Sequence, residues 1–346
     1  MFQTVTKRVL SLRPHNNISL TTVNFVNANK IREQRYGAAV QTTIKSSVTF
    51  RGKGLHSGAS ARITIFPASA EHGIWFKRVD VIGKDNLVPA RWDVAEHSPL
   101  CTKLINEAGV SVSTVEHLMA ALAGCGVHNA LIEIDGPEVP ILDGSAAPFV
   151  RGIMQRGLQR LNVPVRAFEV VEEVSVTHNG ATATISPSEE MGIEFHIDFE
   201  DAAIGKQSKR LNMANGSFAR ELCDSRTFCR KADVEAMQAN GLALGGAPGV
   251  NAVVFDGGHV VSPGGLRHRD EPVRHKMLDA LGDLALAGAP LIGHYTGDKA
   301  GHTLTNMLLR KLFATPGAVR MVTCDDARTA RLPGAGLHWS EVPRVA

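Results

Sequence analysis

Residues 273–284 read VRHKMLDALGDL, with apolar side chains at Met277, Leu278, Ala280, Leu281 and Leu284. That three- and four-residue spacing predicts a helix with a buried face. His275, Asp279 and Asp283 interrupt the apolar pattern at i, i+4 and i+8. At about 100° per residue these positions drift by only about 40° per step, so all three polar groups fall on one stripe. VEHLMAAL (115–122) echoes VRHKMLDAL (273–281), with His117 in the place of His275.

Alternating stretches echo one another too. TIFPASAEHGIWF (64–76) and TISPSEEMGIEF (184–195) each read as strand, Pro-containing loop and strand. GKGLHSG (52–58) and HNG (178–180) carry turn chemistry within the β-rich stretches before them. The first pair of echoes is offset by 120 residues and the second by 158, so the second half holds about 38 extra residues between the matched points. Matched order in two halves predicts an α+β protein of two similar sheet-and-helix layered domains. The expected division is a tail over 1–40, domains over 41–163 and 164–324, and a C-terminal tail over 325–346. The join falls near NVPVRA (162–167), where Pro164 breaks the pattern. A site using both His117 and His275 would lie between the domains, where pockets favour forming.

Charge narrows the partners. The net +3 divides into +5 over residues 1–40 and −2 over the rest, so the body has no basic excess that argues for nucleic acid. Five cysteines without a CxxC pair fit a reducing compartment, against a disulfide framework or a thiolate zinc site. No apolar run approaches the roughly 18 residues of a membrane span. The Asn/Thr/Arg-rich first 40 residues read as a disordered extension or an early start codon. An organelle transit peptide, which would make the protein mitochondrial, is the alternative reading.

The chemistry lies on the polar stripe. His275 and Asp279, one helical turn apart, can both point at one ion, and His117 can supply a third ligand. Two imidazoles and one carboxylate with an open position suit catalytic Zn²⁺, and the same set accepts Fe²⁺. Equally, an i, i+4 His–Asp pair can make an ordinary hydrogen bond. Glu116, directly before His117, is open to two readings. It can serve as general base, or as the N3 residue of a capping box with Ser113 at the N-cap. His302 in KAGHTLTN (299–306) and the segment CDSRTFCR (223–230) carry little alone. GLALGGAPG (241–249) lacks GKS/T and GxGxxG, so it is not read as a phosphate cradle.

Taken in order, STVEHLMAALAGCGVHNALIEIDGPEVPILDGSAAPF (113–149), SRTF (225–228), VRHKMLDALGDL and GHTLTN (301–306) resemble the UDP-3-O-acyl-N-acetylglucosamine deacetylases. These are the zinc enzymes of the committed step of lipid A synthesis. The resemblance runs from about Thr43 to about Thr323. It implies two α/β sandwiches with the metal between them, held by His117, His275 and Asp279. It implies Glu116 as general base, His302 as general acid and oxyanion group, Asp283 as its orienter, and Thr227 as a hydroxyl near the tetrahedral intermediate. Lys276, Asp233 and Phe228 become substrate contacts. The inserted segment, about 230–261, becomes a β-α-β passage for the acyl chain, lined or shaped by Leu242, Leu244, Gly245 and Gly246. The implied substrate is a UDP-linked acylated amino sugar, handled by a monomer in the cytoplasm of a Gram-negative bacterium. Rival readings are another metal-dependent amidohydrolase on the same frame, or a binding protein keeping a structural metal. The joint presence of Glu116, Asp283 and His302 argues against the latter, which needs no base or acid.

Overall fold

In the computed structural model, alternation of apolar and polar residues builds two five-stranded sheets of identical connectivity. The structure describes residues 40–98 and 100–344. The first sheet runs, in spatial order, Val48–Lys53, Ser60–Pro67, Ala130–Ile134, Ile74–Arg78 and Leu87–Pro89. The second runs Val174–His178, Ala181–Ser186, His294–Asp298, Gly192–Asp198 and Lys206–Asn212. In each, three neighbouring pairs are antiparallel, and the central pair (Ala130–Ile134 with Ile74–Arg78, His294–Asp298 with Gly192–Asp198) is parallel. Ala61, Ile63 and Ile65 alternate inward with Ala130, Ile132 and Ile134, and Ile193, Phe195 and Ile197 do the same in the second sheet. The HNG turn closes its hairpin with both Asn179 and Gly180 at positive φ, the two-residue turn that matches strand twist.

The described helices are α1 (Glu116–Gly124), α2 (Ala147–Arg156), α3 (Ser217–Glu221), α4 (Lys231–Ala239), α5 (Glu271–Leu284), α6 (His302–Ala314) and α7 (Asp326–Thr329). α1 and α5 occupy matching places, before the central strand of each sheet, and pack against one another. Both are buried nearly all round, as helices at the centre of a core must be. Gly282 permits their close approach: a Cβ there would lie 2.1 Å from the Glu116 carbonyl oxygen. The described residues form one compact unit. The segment after 324 packs back on it, with Leu332 buried and Pro343 accepting a hydrogen bond from Arg151. Strands Phe228–Arg230 and Val253–Asp256 pair in parallel around α4, so the inserted segment is strand, helix, strand. No helix among the described residues is long and apolar enough to cross a membrane. The expectations for the N-terminal tail lie outside the described residues, save Val40.

The capping box expected at Ser113 is absent. Ser113 ends the strand Ser111–Ser113, and its backbone bonds to Pro137 and Val139 hold it extended. Thr114 then turns through the left-handed region, and α1 begins at Glu116 with Val115 at the cap position and no side-chain cap. Tertiary strand pairing overrides the local capping signal, which frees Glu116 to turn inward.

Candidate active site

His117 on the first turn of α1 meets His275 and Asp279 on α5. Nε2 of His275 lies 3.3 Å and Nε2 of His117 3.5 Å from Asp279 Oδ1. The two rings stand edge to face at 4.9 Å, and all three residues are buried. Nδ1 of His275 donates to the Ser225 carbonyl at 3.0 Å, which fixes the tautomer and leaves Nε2 as a lone pair facing Asp279. Burial pushes His275 down to about 4, so the ring is neutral. Burial alone would raise Asp279, but His275, His117 and Lys276 outweigh it and hold the carboxyl well below its usual range.

This trio fits a divalent ion. Asp279 Oδ1 is buried and accepts no hydrogen bond. Ligands about 2.0–2.1 Å from a tetrahedral ion lie roughly 3.3 Å apart, which is the spacing of both imidazole nitrogens from this oxygen. An anionic oxygen that accepts no hydrogen bond, with two imidazole nitrogens 3.3 and 3.5 Å away, is a set that a cation would complete.

Beside the trio stand two further polar groups. Glu116 Oε2 accepts the Thr102 N–H at 3.0 Å, and Oε1 faces His302 Nε2 at 3.9 Å. Burial raises Glu116 above its usual range. His302 opens α6, and its Nδ1 donates to Asp283 Oδ2 at 2.9 Å. Burial opposes its charge, but Asp283 and Glu116 outweigh that and push it up to about 9. Asp283 Oδ1 takes the Thr102 hydroxyl at 2.5 Å.

A cavity of about 710 Å³ opens on His275 and Asp279, walled by Thr227, Phe228, Asp233, Gly246, Lys276 and His302 among others. Lys276 Nζ lies 3.6 Å from Asp279 Oδ2 and 5.9 Å from the Phe195 ring centre. Phe228 stands edge-on to His275 at 6.3 Å. Asp233 is engaged by Arg230 through two bonds of 2.7 and 2.8 Å. Leu242 and Leu244 stand apart from this group: they are 37% and 56% exposed and do not line the cavity. Gly245 instead tethers the insert, donating its N–H to the Leu55 carbonyl.

The family model for LpxC, UDP-3-O-acyl N-acetylglycosamine deacetylase, matches residues 41–314. The chain belongs to this deacetylase family. Among its relatives is the UDP-3-O-acyl-N-acetylglucosamine deacetylase of Phenylobacterium zucineum, 46% identical over 82% of this chain and 96% of that one. The protein of the same name from an Anaeromyxobacter species is 43% identical over 85% and 96%. That from Pasteurella multocida is 41% identical over 83% and 94%.

Two residues around this site escape the sequence reading. His56 lines the cavity from the GKGLHSG loop, with both ring nitrogens buried and unbonded. Glu138 shapes that loop by accepting the N–H groups of His56 and Ser57 at 2.9 and 2.8 Å. The glycines flanking His56 identify a turn, and nothing local says where the turn points. Thr102 is the other residue. Its partners stand 14 and 181 positions away, beyond any local spacing rule.

Proposed function

We propose that the chain is a zinc-dependent hydrolase of linear amides. It removes the N-acetyl group of UDP-3-O-(3-hydroxyacyl)-N-acetylglucosamine, giving the free amine and acetate at the committed step of lipid A synthesis. The carrying observation is the unbonded Asp279 Oδ1 between His117 and His275, with a buried carboxylate and a buried imidazole alongside. His117, His275 and Asp279 would hold the ion, with Fe²⁺ as an alternative. The ion, when bound, supplies a Lewis acid for the acetamide carbonyl and makes water easier to deprotonate.

The chain's own groups do the remaining work. Glu116 Oε1 takes a proton from the attacking water, and the raised affinity of this buried carboxyl suits a base working near neutral pH. Water oxygen bonds to the acetyl carbon, the C–N bond breaks, and the amine leaves with a proton. His302 carries a proton at neutral pH, because Asp283 and Glu116 hold it up to about 9. Its Nε2 stabilises the developing oxyanion or protonates the amine, and the Thr227 hydroxyl assists. Asp283 keeps Nδ1 protonated, so Nε2 faces Glu116. Lys276, Asp233 and Phe228 contact the substrate. Leu55, Leu100, Met237 and Val254 give the same cavity an apolar wall suited to an acyl chain, with Gly246 at its edge.

Identical connectivity of the two sheets supports two duplicated domains over 41–163 and 164–324. A nucleotide-linked substrate supports work in the bacterial cytoplasm, and the proposal is of a monomer. Acetate release from the UDP-linked acyl sugar tests the reading. Release only from other N-acyl sugars would assign another amidohydrolase, and release from none would leave a metal-binding protein.

A further inference from the structure

Thr102 lies just before the strand Lys103–Ile105 and is 5% exposed. All three of its polar groups are committed. Its N–H donates to Glu116 Oε2 at 3.0 Å, and its carbonyl accepts the Val115 N–H at 3.4 Å. Its hydroxyl donates to Asp283 Oδ1 at 2.5 Å. Asp283 Oδ2 is in turn held by His302 Nδ1 at 2.9 Å, and His302 Nε2 faces Glu116 Oε1 at 3.9 Å. These contacts close a ring: Thr102, Asp283, His302, Glu116 and back to Thr102. One residue grips two carboxylates borne by two different helices.

We infer that Thr102 is a positioning residue for the deacetylation step. The inference rests on the roles of Glu116 and His302 given above. The main-chain N–H pins one oxygen of Glu116, so the other meets the reaction space. The hydroxyl pins one oxygen of Asp283, so the other remains the acceptor for His302. A carboxylate free to rotate about its last torsion would present either oxygen, and His302 would swing with it. The buried hydroxyl removes that freedom. The gap between Glu116 Oε1 and His302 Nε2, in which base and acid must both reach the same reacting centre, is then set by a residue that touches no substrate.

The experiment compares Thr102→Val, Thr102→Ala and Thr102→Ser, each alone and with Asp283→Ala, by kcat, KM and bound metal. Valine keeps the shape and the N–H but loses the hydroxyl. It is expected to lower kcat by about tenfold or more, with KM and metal content unchanged. Alanine should behave like valine, and serine should remain within about threefold of the parent. With Asp283 already removed, Thr102→Val should cost nothing further, because the group it acts through is gone. Normal kcat in the valine variant would overturn the inference. So would a serine variant as slow as valine, or an equal loss with and without Asp283. Should the valine variant not fold, the serine–alanine pair makes the same comparison. Glu116→Gln and His302→Gln serve as references. If both are fully active, the functional reading fails; if both are slow while Thr102→Val is normal, only the inference about Thr102 fails.

Discussion

Glu116→Gln separates base from ligand at adjacent positions. The structure fixes how glutamine sits. Thr102 N–H is a donor, so the amide must turn its oxygen toward Thr102 and its NH₂ toward His302. The group now facing the reaction space donates instead of accepting. Loss of a general base costs about 10² to 10⁴ in rate, which at about 1.4 kcal/mol per decade is roughly 3–6 kcal/mol of barrier. Folding should not suffer. Burial raises the carboxyl of Glu116, so its charge opposes folding, and a neutral isostere removes that penalty. The melting temperature should stay level or rise, and bound metal should stay at the parent level because no ligand is lost. His117→Gln should differ in kind, being metal-poor, slow, and partly rescued by added Zn²⁺. Acetate release, elemental analysis and thermal unfolding on both variants decide the matter. Near-normal kcat in a metal-replete Glu116→Gln would refute the reasoning and move the base to His302 or Asp283.

Three further outcomes follow from the frame around the site. Arg226 holds the buried Glu271 through its N–H, Nε and Nη2, so Arg226→Met should cost up to about 3–5 kcal/mol in a denaturation experiment by removing the cationic partner of a buried carboxylate and leaving it only main-chain N–H bonds. Burial alone would raise Glu271, but its hydrogen bonds from Arg226 and Arg267 outweigh it and lower the carboxyl below its ordinary value of about 4.5. Its contribution to stability is therefore full above about pH 4.5 and lost as pH falls through the lower folded value, and Glu271→Gln should flatten that part of a pH–stability profile. Gly282→Ala should push α5 away from α1, costing about 1–3 kcal/mol and lowering kcat by displacing Asp283 from Thr102; an unchanged melting temperature would mean that the helices give way freely.

What could be read from the chain depended on the range of the interaction. His275, Asp279 and Asp283 were legible because helical period alone places them on one stripe, and the structure finds them buried on α5. His117 was legible because two patterns repeated in order, and it sits on the helix topologically matched to α5. Glu116 was legible as a residue with two possible jobs, and the pairing of Ser113 with Pro137 and Val139 removed one of them. The direction of Leu242 and Leu244 was not legible, since a Gly-rich loop has no periodicity to aim its side chains. Nor was the role of Thr102, whose hydroxyl acts on a residue in the other half of the chain.

The most direct measurement is acetate release from UDP-3-O-(3-hydroxyacyl)-N-acetylglucosamine by one preparation in three states: as isolated, stripped with a strong chelator, and reloaded with Zn²⁺. The account predicts loss of release on stripping and its return at one ion per chain, with no return in Asp279→Ala because the shared oxygen of the trio is missing. Full release by protein shown by elemental analysis to be metal-free would contradict it.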